Sequence, residues 1–483
     1  MVSRPVDSAA SDPLRAQLQR VWGYDDFRSP QREVVRCLLA QRDAIVVMPT
    51  GGGKSICFQL PALLQPGLTL VVSPLVALME NQVQELRQRR LPAALLHSEL
   101  PRWQRKQTLQ ALEQNRLRLL YLSPETLLSV PVWERLCQPA VMLSGLVIDE
   151  AHCLTQWGES FRPAYYRLGA VRPALLQHKP AGSRLAIAAF TATADPTTQA
   201  TLQRVLHLDQ PEHFRLSPYR SNLRLQMQTV WTPRGRQQQL LKFIQAQGRQ
   251  AGLVYVRSRR DSEGLAEWLT QQGNTTAAYH AGLSAEERRA IEQSWLNGAL
   301  PFVVCTCAFG MGINHPTVRW IAHFHAPLLL SEYVQEIGRA GRDGKPATAL
   351  ILASEPTGLL DPQDKQRRQF FEQQSSKQAR SAQHLLKKLP AHGDVASVSR
   401  QFPDGGLALS WLHAVDRLDW QDPFHYTLRS SSSPASLQSN IDAAQQMVQY
   451  LYTRGCRWKF LLEAFGFPQK ADFRCGHCNQ CNS

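Results

Sequence analysis

Long apolar segments are missing from this chain of 483 residues. No run of about 18 apolar residues occurs, which excludes a membrane-spanning helix, and the first residues lack the apolar core of a secretory signal. Cysteine is also scarce. Ten cysteines in a chain of this length are too few for a disulfide scaffold. We therefore expect a cytoplasmic protein, without a membrane partner, of about two to four domains.

Acidic residues are outnumbered by basic ones. The sequence has 54 Lys and Arg against 39 Asp and Glu, a formal net charge of +15, of which +12 falls within residues 1–379. A basic excess favours polyanions such as nucleic acid, although many basic proteins bind none. In a bacterial-type cell, the protein would be cytoplasmic or associated with the nucleoid.

Short apolar runs separated by helical patterns occur in two series. Such runs are typical of strands in parallel sheets that are covered on both faces. The first series is AIVVM (44–48), LTLVVS (68–73), LRLLYLS (117–123), GLVID (145–149) and LAIAAFTA (185–192), and the second is GLVYV (252–256), TAAYH (276–280), FVVCTC (302–307), VRWIAHF (318–324) and TALIL (348–352). We predict an α/β fold with two parallel-sheet lobes, residues 1–217 and 218–375.

The pattern changes after about residue 355, where a Gln-rich helix begins. Residues 382–429 read as helix, turn, helix and two short strands, an order that fits a winged-helix-like module but also a plain helical spacer. The run SSSSPAS predicts a flexible linker. We therefore expect a small, mostly helical insert with its linker at 376–436, and a helical, cysteine-containing subdomain at 437–483.

A glycine-rich loop follows the first predicted strand and precedes a helical pattern, the context of a phosphate-binding loop. Its glycines let backbone N–H groups approach an anion, Lys54 adds a positive charge, and the Ser55 hydroxyl is a ligand for Mg²⁺. Met48 stands where the usual pattern has its first glycine. The residues assigned to ATP binding here are Met48, Pro49, Thr50, Gly51, Gly52, Gly53, Lys54 and Ser55.

Two further patterns supply catalytic candidates. Asp149 and Glu150 end a predicted strand, where α/β sheets bind ligands; Asp149 offers oxygen to Mg²⁺, and Glu150 can accept a proton from attacking water. An acidic pair also caps helices, but the phosphate loop favours the catalytic interpretation. Arg339 and Arg342 share a helical face in the second lobe. They would stabilise charge at the γ-phosphate when the lobes close. Without the other motifs, this segment would be interpreted as an ordinary basic surface helix.

Four cysteines near the end of the sequence have metal-ligand spacing. They are Cys456, Cys475, Cys478 and Cys481. A C-x₂-C-x₂-C cluster with one distal cysteine can close a tetrahedral thiolate shell around Zn²⁺, which would be structural because no coordination position is left open. A [4Fe–4S] cluster also uses four cysteines and is the alternative. We expect His477 to be a bystander.

These segments, in this order, resemble the RecQ family of superfamily-two ATP-dependent DNA helicases. The resemblance covers residues 20–355 and 436–483. It is carried by WGYDDFRSPQ (22–31), MPTGGGKS (48–55), SPLVALMENQV (73–83), YLSPE (121–125), DEAHCLTQWGESFRP (149–163), FTATAD (190–195), YRSNL (219–223), GLVYVRSR, YHAGLSAEER, AFGMGIN (308–314), QEIGRAGRDG (335–344) and the terminal cysteines.

The resemblance implies two RecA-like lobes, a DEAH box, and zinc rather than iron–sulfur in the tail. It assigns Phe27, Arg28 and Gln31 to adenine recognition, and Gln335 to contact with the nucleotide or its water. The catalytic set is then Lys54, Asp149, Glu150, Gln335, Arg339 and Arg342. We also expect the winged-helix and HRDC domains that follow the zinc subdomain in many relatives to be absent after Cys481.

In this family, the loop after the acidic pair is rich in aromatic residues and contacts DNA. A ring stacks on an unpaired base of any identity, with a contribution of about 1–3 kcal/mol per base. The residues assigned to DNA contact and coupling are His152, Gln156, Trp157, Phe161 and Arg162. Without the resemblance, the aromatic residues from Trp157 to Tyr166 would be interpreted as core. The sequence departs from the family at Glu159, Ser160, His315, His325 and Leu328, so part of the strand-contact set is altered.

The resemblance implies an ATP-dependent 3′–5′ DNA helicase that unwinds duplex DNA in recombination and repair. We expect a monomer with ATP, Mg²⁺ and Zn²⁺ as cofactors, acting on single-stranded and forked DNA beside unidentified single-strand-binding or recombination proteins. The alternative is a DNA-stimulated translocase or annealing factor that does not separate strands. An inactive scaffold is disfavoured because the complete catalytic set is present.

Overall fold

The computed structural model describes residues 12–155, 162–309, 315–429 and 438–481. Within these residues, two parallel sheets form the two lobes, and the predicted α/β architecture is confirmed. No helix in the described part of the chain is long and apolar enough to cross a bilayer.

The first lobe is built on a seven-stranded sheet in the order β3-β4-β2-β5-β6-β1-β7, counted over the described residues. Its strands are β1 (Ala44–Val47), β2 (Leu68–Val72), β3 (Ala93–Leu96), β4 (Leu119–Leu122), β5 (Leu143–Ile148), β6 (Ala186–Thr191) and β7 (Glu212–Arg215). β1 and β2 are buried at every position, which explains their continuous apolar sequences. The sequence did not predict β3 and β7, the two edge strands; β7 is half exposed and has no apolar run.

Helices cover both faces of this sheet. They are α1 (Pro13–Trp22), α2 (Gln31–Leu39), α3 (Lys54–Leu64), α4 (Val76–Gln88), α5 (Arg102–Glu113), α6 (Pro124–Leu127), α7 (Val130–Cys137), α8 (Val171–Leu176) and α9 (Pro196–Val205). Two 3₁₀ helices, Ala151–Leu154 and Pro163–Ala170, lie on either side of the aromatic loop position. The ends of β5, β6 and β1 are neighbours in the sheet, so the residues that follow them meet in one place.

The second lobe has six described strands in the order β10-β11-β9-β12-β13-β8, all parallel. They are β8 (Leu223–Val230), β9 (Gly252–Tyr255), β10 (Thr276–Tyr279), β11 (Phe302–Cys305), β12 (Trp320–His323) and β13 (Ala347–Ser354). The helices are α10 (Pro233–Gln247), α11 (Arg259–Gln271), α12 (Ala285–Leu296) and α13 (Leu330–Ile337). The sequence missed β8, an edge strand whose buried and exposed residues are mixed.

A small module follows the second lobe. It consists of the end of α14 (Gln363–Leu386), then β14 (His392–Asp394), α15 (Val395–Gln401), α16 (Gly405–Ala414), β15 (Leu418–Trp420) and β16 (His425–Leu428). The strands form an antiparallel sheet in the order β14-β16-β15. Helix, strand, helix, helix, strand, strand is the order of a winged helix, the first of the two interpretations given above.

The last helices, α17 (Gln438–Tyr452) and α18 (Arg457–Ala464), pack on the second lobe. The indole N–H of Trp458 donates to the Leu223 carbonyl at 3.2 Å, and the backbone N–H of Asn479 donates to the Leu225 carbonyl at 3.0 Å. The tail therefore covers the outer edge of β8, which would otherwise present unpaired backbone groups.

A buried ion-pair network attaches α14 to the second lobe. Arg236 of α10 is fully buried and donates to Asp361 at 2.8 Å and to Asp364 at 3.1 Å. It also donates to the Ser354 hydroxyl at 2.7 Å. Each carboxylate depends on this one guanidinium for much of its charge compensation.

We predict that Arg236→Ala lowers the free energy of unfolding by about 3–5 kcal/mol, because it leaves two buried carboxylates without their partner. Urea denaturation followed by circular dichroism measures the change. Arg234→Ala is the matched control, since Arg234 is exposed two residues earlier in the same helix. Equal losses in the two variants would contradict the prediction.

Candidate active site and metal centre

A cleft of about 730 Å³ lies between the two lobes. Polar residues of both lobes line it: Asp25, Asp26, Arg28, Gln31, Thr50, Lys54, Ser55, Gln82, Glu85, Asp149 and Glu150 from the first, and Gln335, Arg339 and Arg342 from the second. The lobes also touch directly, because the Thr50 hydroxyl donates to the Gly338 carbonyl at 3.0 Å. A Cβ at Gly338 would lie 2.5 Å from the Thr50 hydroxyl oxygen, so this approach requires glycine.

Hydrogen bonds from Gln31 hold the glycine-rich loop in place. The Gln31 side-chain amide donates to the carbonyls of Gly52 and Gly53 at 3.1 and 3.3 Å, and its oxygen accepts from the Arg28 backbone N–H at 2.9 Å. Gly53 has φ +78°, and a Cβ there would lie 2.3 Å from the Gln31 amide nitrogen. Lys54 then begins α3. The loop thus ends at a helix N-terminus, where backbone N–H groups attract anions.

Lys54 and the acidic pair form the charged centre of the cleft. The Lys54 ammonium lies 3.6 Å from a Glu150 carboxylate oxygen and has no hydrogen-bond partner among the described residues. Burial raises the pKa of Asp149, and the neighbouring Glu150 raises it further. Burial would also raise the pKa of Glu150, but the charges of Lys54, His152 and Arg339 outweigh it, so this pKa lies below its usual value. Glu150 is therefore ionised at neutral pH and able to accept a proton.

The arginines of the second lobe reach this centre. Arg339 is 7% exposed and contributes to the lowered pKa of Glu150. Arg342 comes within about 3.7 Å of the position a Cβ would take at Gly51. Burial and the charge of Arg339 lower the pKa of Arg342 to about 10. Two guanidinium groups thus face the phosphate loop, an arrangement that an anion between the lobes would stabilise.

A polar path leads from Glu150 towards the end of β6. The His152 ring nitrogen lies 3.3 Å from Glu150 and 3.0 Å from the Thr191 hydroxyl. Burial lowers the pKa of His152, while the Glu150 carboxylate acts in the opposite direction. Thr191 in turn donates to the Thr193 carbonyl at 2.9 Å. His152 is therefore a buried link in the first lobe rather than a surface contact.

The structure describes only part of the loop that contains the aromatic residues. Gln156, Trp157 and Phe161 lie outside the described residues. Arg162 is described and donates to Glu125 at 3.3 Å. Tyr165 and Tyr166 are 0% and 2% exposed in the core of the first lobe, so the interpretation as core holds for these two rings.

Some predicted residues do not line the cleft. Phe27 is partly buried against α1 and carries the Arg32 guanidinium 5.4 Å above its ring. Met48 is fully buried in the core, and Pro49 lies in a small adjoining cavity with Thr193. The sequence analysis assigned no role to Trp22, Tyr24, Gln82 or Glu85, which also line the cleft. The first three lie in motifs quoted above, whereas Glu85 lies in none.

The four tail cysteines converge. The sulfur atoms of Cys456, Cys475, Cys478 and Cys481 all lie within 4.8 Å of one another. The Cys475 and Cys481 sulfurs are 3.8 Å apart, and tetrahedral Zn–S bonds of about 2.3 Å place sulfurs about 3.8 Å apart. His477 turns a ring nitrogen to the Cys475 carbonyl at 2.6 Å, so it is not part of the cluster. The donor set fits a structural zinc ion.

We predict that the purified protein carries about one zinc ion per chain and that Cys478→Ser loses it. The expected result in metal analysis is zinc without iron or sulfide, with a lower melting temperature for the variant. Cys137→Ser, in the first lobe, is the control and should retain the metal. Iron with labile sulfide would contradict the prediction.

Three sequence families match the chain. Residues 28–201 match DEAD/DEAH box helicase, residues 235–344 match helicase conserved C-terminal domain, and residues 421–482 match RecQ zinc-binding. The third match begins within the small module, before α17.

Full-length similarity extends to a named relative. The chain is 52% identical over 470 residues to the ATP-dependent DNA helicase RecQ of Synechocystis, covering 97% of this chain and 98% of that protein. It is 41% identical to the RecQ helicase of Haemophilus influenzae over 69% of this chain and 52% of that protein.

Solved structures support the fold. The DEAD-box helicase Mss116 bound to single-stranded RNA gives a TM-score of 0.59 at 16% identity, covering 72% of this chain and 74% of that one. The Mycobacterium smegmatis helicase Lhr, bound to single-stranded DNA, gives 0.56 at 18% identity, covering 92% and 63%. At these identities the likeness establishes the two-lobed fold alone.

Proposed function

Because the chain belongs to the RecQ family and is an ATP-hydrolysing DNA helicase, we propose that it moves 3′ to 5′ on single-stranded DNA and separates duplexes in recombination and repair. In this proposal it acts as a monomer on forked and single-stranded DNA near the nucleoid. The observation that supports an ATP-driven motor is the convergence of both lobes on one cleft, with Arg339 and Arg342 facing Lys54 and Glu150. The polarity and the role in recombination and repair are proposed from membership of the family.

The residues of the cleft divide the work of ATP hydrolysis. Lys54 and the loop N–H groups bind the β- and γ-phosphates. Ser55 and Asp149, whose oxygen atoms suit Mg²⁺, would hold that ion, and it would neutralise charge on the phosphates. Glu150 accepts the proton of the attacking water. Arg339 and Arg342 stabilise the charge that develops on the γ-phosphate, while Gln335 positions the nucleotide or the water.

Nucleotide state is thereby linked to the distance between the lobes. The arginines belong to one lobe and the phosphate loop to the other, so ATP draws the lobes together and product release lets them part. Contacts with the DNA backbone would shift once per cycle. Since such contacts ignore base identity, binding should be sequence-tolerant and should weaken as salt rises.

We predict strand displacement on duplexes with a 3′ single-stranded tail and none on duplexes with a 5′ tail. Hydrolysis should rise when single-stranded DNA is added. Lys54→Ala should abolish both activities because the phosphates lose their charge partner, whereas Lys106→Ala, at an exposed site, should match the wild type. Stimulated hydrolysis without displacement on either tail would indicate the translocase or annealing alternative.

We predict that Trp157→Ala keeps basal hydrolysis but lowers its stimulation by DNA about 5- to 150-fold, the effect of losing one stacked base at about 1–3 kcal/mol. Trp231→Ala is the control, since Trp231 is 61% exposed in the second lobe. Hydrolysis rates measured across a range of oligonucleotide concentrations give the comparison. Unchanged stimulation in Trp157→Ala would remove this residue from the proposed coupling.

A further inference from the structure

The winged-helix module does not offer its expected reading surface. In a DNA-binding helix-turn-helix, the second helix enters the major groove. Here that helix is α16, and it packs on the 3₁₀ helix Pro163–Ala170 of the first lobe. Ala408, Leu409, Trp411 and Leu412 of α16 belong to the same continuous core as the first lobe. A helix buried in this way cannot enter a groove.

The hairpin between β15 and β16, the wing of the module, is docked as well. The Phe424 ring packs edge-on against Trp133 of α7, with centroids 5.3 Å apart. Arg167 donates to the carbonyl of Pro423 at 3.2 Å. Both elements through which such a module would read a duplex therefore contact protein.

Charge agrees with this arrangement. Residues 382–429 contain five Lys and Arg and five Asp and Glu, a net charge of zero in a chain of +15. Binding to DNA draws much of its free energy from the neutralisation of phosphates by basic residues. The module, residues 379–429, adds only Arg380 to this count, so it has almost no excess positive charge to supply that free energy.

The 3₁₀ helix that α16 contacts, Pro163–Ala170, lies close in sequence to the catalytic acids. Pro163–Ala170 follows Arg162 directly, and Arg162 follows the DEAH segment that supplies Asp149 and Glu150. The Ser410 hydroxyl of α16 donates to the Pro163 carbonyl at 3.0 Å. The module therefore fixes the chain just beyond the proposed DNA-coupling loop.

The same module is attached to the other lobe through α14. This helix has 24 residues, about 36 Å at 1.5 Å per residue. It is anchored in the second lobe at Asp364, while Ala382 and Leu385 lie in the core shared with the first lobe. Residues 365–374 include no buried side chain, so α14 joins its two anchors as a continuous helix with no buried contact between them.

We propose that residues 379–429 are a positioning module for the helicase reaction, not a DNA reader: docked on Pro163–Ala170 and tied to the second lobe by α14, they transmit lobe movement to the segment beyond the DEAH box. This inference rests on the proposed function, because it assigns the module a part in DNA-stimulated hydrolysis. Phe424 and Ser410 act as positioning residues, since they touch neither nucleotide nor the reacting atoms.

Two variants test it. Phe424→Glu should undock the wing, and Ser376→Pro should interrupt α14 between its two anchors; Phe424→Leu and Ser376→Ala are the matched controls. In both test variants we expect the DNA-stimulated maximal rate of ATP hydrolysis to fall at least about five-fold, a barrier change of about 1 kcal/mol. Basal hydrolysis and the half-saturating concentration of forked DNA should stay within about two-fold, and the controls should match the wild type.

Three results would overturn the inference. A ten-fold weaker affinity of Phe424→Glu for forked DNA, with an unchanged maximal rate, would identify the wing as a DNA contact. Unchanged stimulation in soluble Ser376→Pro would remove the link through α14, even if Phe424→Glu fails to fold. A wild-type protein that DNA does not stimulate would overturn the proposed function together with this inference, whereas the other two results leave that function standing.

Discussion

The charge arrangement around Lys54 depends on residues that the chain supplies from two separate lobes. Lys54 and Glu150 are 3.6 Å apart in a buried site, where each would be costly to desolvate alone. The charge of Lys54 lowers the pKa of Glu150 most, and Arg339 adds to this effect from the second lobe. Lys54 and Arg339 thus bring positive charge from both lobes to the side of Glu150, and a bound triphosphate would neutralise that charge.

The need to bring these charges together explains why motifs that lie far apart along the sequence follow neighbouring strands. Three motifs follow strands that are neighbours in one sheet: the phosphate loop follows β1, the acidic pair follows β5, and the end of FTATAD (190–195) follows β6. Their strand ends lie about 4.8 Å apart, so side chains separated by some hundred residues meet without long connections. Gly338 completes the arrangement by letting the Thr50 hydroxyl approach the second lobe.

The sequence predicted what local pattern determines and missed what depends on tertiary context. Strands with continuous apolar runs were found, while β7 and β8 were missed because edge strands mix buried and exposed residues. Lys54, Glu150 and the two arginines, which the motifs singled out, line one cleft in the structure. Met48 and Tyr165 are core residues, and no spacing rule separates a buried methionine or tyrosine from one that lines a site. His325, noted only as a departure in the DNA-contact set, is buried at the base of α14, where it meets Gln363 at 2.8 Å.

The small module shows why topology alone does not assign a role. Its helices and strands follow the order of a DNA-reading fold, which was one of the two interpretations that its sequence pattern allowed. What the pattern could not reveal is which face is already occupied. α16 has apolar residues around most of its circumference, and such a helix must be buried on more than one side. A groove-reading helix needs a polar, basic face, so the composition of α16 already favoured a protein partner, and the first lobe is that partner.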